Sequence, residues 1–304
     1  MTGRTASVGV DVDSLHHYYR IHGLSEEAAS NAAWTVAVPR FCDLFGRLGI
    51  PATFYCIAED LEIGQNRDHV RHLVSLGHEI GNHSLHHRYD LTKLTGQMLH
   101  AEVATSREIL SEAAGEQVLG FRAPGYNTNE RVISAVFESG HRYDSSVFPC
   151  VPYYLAKATI MGLLRMRGRP SKSILGDPRV LLSPSQPYQM TASSPYRKVP
   201  EGLRQYPISV FAGCPLIGTA FTALGPSISE AIVRAASRFQ RHITLEFHAV
   251  DLLAIAEDGL DPQLAVQPDL KVPVAKKLMA FEKVFSAISE RHHFVRLDHL
   301  SAKR

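Results

Sequence analysis

The sequence has no CxxC pair. Its four cysteines, Cys42, Cys56, Cys150 and Cys214, are scattered along the chain, which argues against a zinc finger or a disulfide framework and leaves reduced core thiols. No apolar run approaches the ~20 residues that a membrane span needs, and MTGRTASVGVDVD lacks the charged-then-apolar pattern of a leader. The expectation is a cytoplasmic protein. Net charge is small, +2 over 304 residues, so there is no global case for a nucleic-acid partner. What is present, 45% apolar and 20% charged residues, is ordinary globular composition. The length suits one large α/β domain or two small ones.

Along the chain, short β-branched runs alternate with helical periods. SVGVDVD, ATFYCIA, HEIGN, QVLGFRAP, HRYDSSV, QYPISVF and ITLEFH read as strands, and FVRLDHL finishes the chain. Between them, VPRFCDLFGRL reads as a helix with Pro39 at its start and Phe41, Leu44, Phe45 and Leu48 on one face. Asp90 reads as the N-cap of a long helix through Leu110, and Ser227 with Glu230 has capping-box spacing. About seven alternations of this kind predict parallel strands joined by crossover helices, as an open sheet covered on both faces or a closed barrel.

The stretch 148–205 breaks the rhythm. It holds eight of the seventeen prolines and nine Lys or Arg against two acids, so +7 sits here and the rest nets −5. One reading is a solvated, Pro-rich insertion. The other is a basic cap that attracts an anionic or lipid-linked substrate, with residues 153–169 as an amphipathic helix touching a membrane surface.

HEIGNHSLHH, residues 78–87, crowds imidazoles at the end of an apolar strand, and a buried neutral imidazole needs partners for both ring nitrogens. Three other groups fall at strand ends: Asp11 with Asp13, Arg122 in FRAPG, and His248 in LEFH. In parallel α/β architectures, sites gather at the carboxyl ends of strands. Asp11 and Asp13 project to one side at i, i+2 and repel unless a cation lies between them. His83 and His87 meet on one face if their segment is helical, giving with the aspartates a two-His-one-carboxylate set that leaves coordination positions open. His86 reads as a bystander or as a supporting group behind the ligands, and His16, His17, His292 and His293 as surface residues. Arg122 is either a surface cation before a turn or a bidentate partner for an aspartate. His248 is a satisfied core histidine or, beside a metal, a general acid.

Four stretches in this order, GVDVDS, NHSLHH, FRAPGY and LEFHAVD, resemble the polysaccharide deacetylases of carbohydrate esterase family 4, over roughly residues 7 to 300 apart from 148–205. The chain is most similar to the unsignalled, cytoplasmic branch. The resemblance implies a distorted, seven-stranded, TIM-like (β/α) barrel as a single catalytic domain over 1–304, with the insertion at 148–205. It implies one divalent ion, usually zinc, with cobalt, manganese or nickel as substitutes. Asp13, His83 and His87 would then be its ligands, Asp11 the base, Arg122 its orienting partner and His248 the general acid. Pro124, Gly125 and Tyr126 would line the substrate and the oxyanion. The Asp-x-Asp order, where the commonest first motif has adjacent aspartates, leaves Asp11 and Asp13 exchangeable as base and ligand. Asp144 in RYDSS matches the fourth motif loosely. The implied reaction is hydrolysis of an N-acyl group, most often acetyl, on an amino sugar, here with a nucleotide or lipid-phosphate carrier. Aminoarabinose-lipid deformylases share the Asp-x-Asp motif, which keeps deformylation as an alternative, and a non-catalytic carbohydrate- or lipid-binding member is another.

Overall fold

The β-branched runs form strands and the helical periods form helices in the computed structural model, which describes residues 3–25, 29–166 and 174–301. The strands in chain order are β1 (Thr5–Val12), β2 (Thr53–Cys56), β3 (Glu79–Asn82), β4 (Gly120–Phe121), β5 (Tyr143–Asp144) and β6 (Tyr188–Met190). They continue with β7 (Leu203–Gln205), β8 (Val210–Phe211), β9 (Cys214–Pro215), β10 (His242–His248) and β11 (His293–Phe294). The fold is mixed α/β with parallel pairing dominant, as the alternation requires. Two units are distinguished: Met1–Phe54, His72–Glu79 and Leu216–Arg296 in the first, and Tyr55–Arg71, Ile80–Pro215 and Leu297–Arg304 in the second.

In the first unit, β1 pairs in parallel with β10 from Thr5↔His242 to Asp11↔His248, and with β11 at Thr5↔His293. The helix Val38–Leu48 forms where its apolar period predicts, with Pro39 in its first turn and Gly49 closing it at φ 64°. Its Phe41 and Phe45 meet Phe247, Phe54 and Phe285 edge-on, so aromatic packing holds the helix to the strands. The helix Pro226–Phe239 starts from Gly225 without a side-chain cap. The predicted Ser227–Glu230 box does not form, because Glu230 turns outward to Arg234 and Lys283.

In the second unit, β3, β4, β5 and β7 pair in parallel through Asn82↔Phe121, Phe121↔Asp144 and Asp144↔Gln205, and β6 adds antiparallel to β7. Val103, Phe121, Val132, Val136, Met190 and Leu203 form its core. Asn129 caps the helix Glu130–Glu138 by accepting from the Val132 N–H. The Asp90 helix takes a different form. Asp90 ion-pairs with Arg88 and precedes only a 3₁₀ turn, Leu91–Lys93. Helix then runs from Gly96 through a π segment, Ala101–Thr105, to Ala114.

The Pro-rich stretch holds a helix, Val151–Met166, and strands β6 and β7, the latter joined to β5. The predicted amphipathic segment extends to 169, and its last residues lie outside the described ones. QYPISVF is not one strand: β7 ends at Gln205 and Val210–Phe211 belongs to a separate hairpin with β9. At the end of the chain, β11 brings Phe294 beside Ala6, and Leu297–Ser301 then turns helical.

Candidate active site

Parallel pairing sets the first group of functional side chains. Asp11 and His248 are register partners at the carboxyl ends of β1 and β10. Glu246, two residues before His248 on the same side of β10, is fully buried and lies 2.9 Å from His248 Nδ1 through Oε1. One donor atom from each of Asp11, Glu246 and His248 lies within 4.8 Å of the others. Burial of the ring opposes protonation. The Glu246 carboxylate, then Asp13 and Asp11, outweigh it and hold the imidazolium well above its ordinary range.

Behind His248, Asp251 Oδ2 accepts the His248 N–H at 2.8 Å. Burial raises its carboxyl to about 7. Buried Lys277 donates to the Leu253 carbonyl at 2.7 Å. Burial pulls this ammonium down, and the Asp269 and Asp251 carboxylates oppose that. Asp13 follows the end of β1 and is 4% exposed. Asp11, Asp13 and His248 thus lie at strand ends, where the sequence places them. Glu246 is absent from the sequence reading, although its i, i+2 relation to a strand-end histidine is the signal that marks it.

The second unit carries the histidine pair. His83 and His87 lie 4.9 Å apart between ring centroids. They do not meet by helical spacing: the segment is a loop with Ser84 and His87 at φ 71° and 51°. The loop is held from both sides. Asn82 Oδ1 accepts from the Ser84 N–H and from Ser106, while its Nδ2 donates to the Val103 carbonyl. Buried Glu102 accepts the Leu85 and His86 N–H groups through Oε2 and engages His86 Nδ1 through Oε1. His86 is thus part of the loop's frame. His83 Nδ1 lies 2.7 Å from the Arg122 carbonyl, which can only accept. That bond places the proton on Nδ1 and leaves the Nε2 lone pair as the donor a metal uses.

Arg122 is completely buried, which excludes the surface-cation reading. Its guanidinium donates to the Ser145 carbonyl at 3.1 Å and to Ser145 Oγ at 3.0 Å, and stacks 4.1 Å over the Tyr55 ring. Asp144, also buried, accepts from the Ser146 N–H and hydroxyl and from Gln205. Burial raises its carboxyl, and these donors with Arg122 work against that. Ser146 Oγ in turn receives the Ala123 N–H at 2.8 Å. Arg122 and Ser145 thus sit side by side at the ends of β4 and β5.

Past them, Pro124–Tyr126 forms a tight turn with Gly125 and Tyr126 both at φ 62°. A Cβ at Gly125 would come within 2.9 Å of the Tyr89 ring, so this position needs glycine for space as well as for φ. Tyr126 already donates its N–H to Ala123 O, and Pro124 has none, which makes Gly125 the candidate amide of the turn. Of the histidines read as surface residues, His17 and His292 are buried, the latter 3.1 Å from Gln240 O through Nε2.

His141 is a neutral strut for this loop. Its Nε2 accepts from Asn82 Nδ2 at 3.2 Å and its Nδ1 faces the Val136 carbonyl, so a second proton has no acceptor. Burial lowers its pKa to about 3. Between that value and the unfolded ~6.5 the unfolded chain binds the extra proton, so stability falls as pH falls through this window. His141 alone should make the fold about 3 kcal/mol less stable at a pH near 4.5 than near 7.5. Urea unfolding at the two pH values checks this, and His141→Gln should flatten the difference. An equal loss in the variant would remove His141 as its source.

Residues 31–143 match the family model for polysaccharide deacetylases. The chain is 24% identical over 154 residues to a peptidoglycan deacetylase of Helicobacter pylori, covering 48% of this chain and 51% of that one. It is 28% identical over 104 residues to a peptidoglycan-N-acetylglucosamine deacetylase of Bacillus cereus, covering 34% and 47%. The chain thus spans about half the length of these relatives. In fold it is similar to a provisionally named polysaccharide deacetylase from Mycobacterium smegmatis (TM-score 0.61, 15% identity, 98% of this chain and 90% of that one). It is also similar to PuuE allantoinase (TM-score 0.59, 15% identity, 99% and 90%).

Proposed function

We propose, from the premise that the chain belongs to the polysaccharide deacetylase family of the carbohydrate esterase 4 type, that it hydrolyses an N-acetyl group from an amino sugar with the help of one divalent ion. The observation that carries the reading is the His248–Glu246 pair beside Asp11. A charged imidazole next to a carboxylate at paired strand ends is an acid and a base ready for amide cleavage.

The donor chemistry fits an ion. Asp13 would offer a carboxylate oxygen and His83 and His87 a ring nitrogen each, and the His83 tautomer is already set by Arg122 O. An oxygen and two imidazoles suit zinc, with cobalt, manganese or nickel as substitutes. Such an ion, when bound, supplies Lewis acidity toward the acyl oxygen and lowers the pKa of water toward ~7.

The chain's own groups do the remaining work. Asp11 takes the proton as water attacks the acyl carbon. The Gly125 N–H, with Pro124 and Tyr126 shaping its turn, faces the developing oxyanion. Arg122, fixed by Ser145 and Tyr55, would act as the orienting partner of the base. His248 then gives its proton to the amine nitrogen as the C–N bond breaks, because an amide anion is too poor a leaving group to depart unprotonated. The residues 1–304 act as one catalytic domain in this reading.

The +7 carried by 148–205 favours a sugar on a nucleotide or lipid-phosphate carrier. The test is proton NMR of metal-replete protein with nucleotide-linked, lipid-linked and polymeric acylamino sugars. Free acetate supports the proposal. Free formate moves the assignment to a deformylase, and neither product from metal-loaded protein would leave a binding protein.

A further inference from the structure

The helix Val151–Met166 is inverted relative to a normal surface helix. An amphipathic helix turns its apolar stripe to the core. Here Leu155 and Ile160 are each 58% exposed and Met166 78%, with Val151 and Leu163 also exposed. The inward side carries polar tips instead. Tyr154 donates to the Gly176 carbonyl, Lys157 to the Gly125 carbonyl, and Tyr153 packs edge-on against Tyr126. The outward face therefore has no cover within the described second unit, and an apolar stripe left in water marks a contact surface.

Charge selects the occupant. Apart from Lys157, whose ammonium is turned inward to the Gly125 carbonyl, the sequence from Ser145 to Gly176 has four cations and no acid. A second copy seated on this face would bring two such sets together with nothing to neutralise them. An anionic lipid surface offers apolar depth for the stripe and negative headgroups for the cations. No described helix is long and apolar enough to cross a membrane, so the contact is one of lying on the surface.

We infer that the outward face of Val151–Met166 docks on a bilayer rich in anionic lipid. Because the inward face of the same helix holds the Gly125–Tyr126 turn, docking would set that turn close to the headgroup plane. The inference concerns membrane contact and stands apart from the hydrolysis proposed above.

The test is co-sedimentation of the full chain with vesicles of phosphatidylcholine alone and of phosphatidylcholine with phosphatidylglycerol. Binding is expected only to the second, weakening with salt. The triple variant Leu155→Ser, Ile160→Ser, Leu163→Ser should lose roughly tenfold or more of that partition. If the triple variant misfolds, Leu163→Trp decides: the emission of the introduced indole should shift to the blue with anionic vesicles, against the buried Trp34. Equal binding to both vesicle types, an unchanged triple variant, an unshifted emission in Leu163→Trp, or self-association that the variant abolishes without vesicles would each overturn the inference. Turnover of a soluble acylamino sugar should be unaffected in the triple variant, which separates this result from the fate of the proposed reaction.

Discussion

His83→Ala is expected to bind divalent metal at least ~10²-fold more weakly and to lose turnover by roughly 10³-fold or more. Removing an outer partner of a metal-binding histidine already costs about 10 to 100-fold in affinity, and deleting the donor itself should cost more. Turnover follows, since Lewis acidity supplies several kcal/mol of the barrier reduction. The Arg122 carbonyl, which now accepts from His83 Nδ1, would be left without that bond, at about 1 kcal/mol of fold stability. Asp11→Asn separates the roles of the two aspartates. If Asp11 is the base, this variant keeps its metal and loses turnover. If Asp11 is the ligand, it loses both. Metal content after dialysis, measured beside product release, reads the two variants. Full metal and full activity in His83→Ala would end the ligand assignment.

Local chemistry explains which parts of this architecture are legible in the sequence. β1 and β10 are long apolar runs with polar ends, and the sequence marks them without help from the rest of the chain. β4 and β5 shrink to two residues each, for a reason only the fold supplies. Gly120 lies under the Tyr143 ring, where a Cβ would come within 2.1 Å, and the Ser145, Ser146 and Arg122 bonds then take over from the ladder. The long helix expected from Asp90 fails because Arg88, two residues before, captures the would-be cap. Spacing picks out His83 and His87, but the spacing argument assumes a helix. Two left-handed residues bring the rings together instead, and Ser84 and His87 carry no sequence signal for that conformation. His17 and His292 have no local pattern that distinguishes them from surface residues, because their burial comes from segments distant in sequence. Glu246 is legible though absent from the sequence reading: a glutamate inside an apolar strand, two before a histidine, is costly to bury unless it has a charged partner.

That partner gives a sharp prediction about the chemical step. His248→Gln should reduce turnover of an N-acetyl substrate by about 10²–10⁴-fold, the usual worth of a positioned acid. Glu246→Gln should follow it with a smaller loss, because the ring remains but its charge and orientation are no longer held. Both losses should nearly vanish on an aryl acetate ester. A phenolate departs without a proton, whereas an amine must be protonated as the C–N bond breaks. A group that only packs the site, or only binds substrate, would hurt both substrates alike. The ratio of amide to ester turnover therefore isolates proton donation from every structural effect of the substitution. Unchanged ratios in His248→Gln would remove it from the acid role and leave Glu246 with nothing to position. A ratio that falls in both variants, with KM little moved, would place the departing nitrogen at His248.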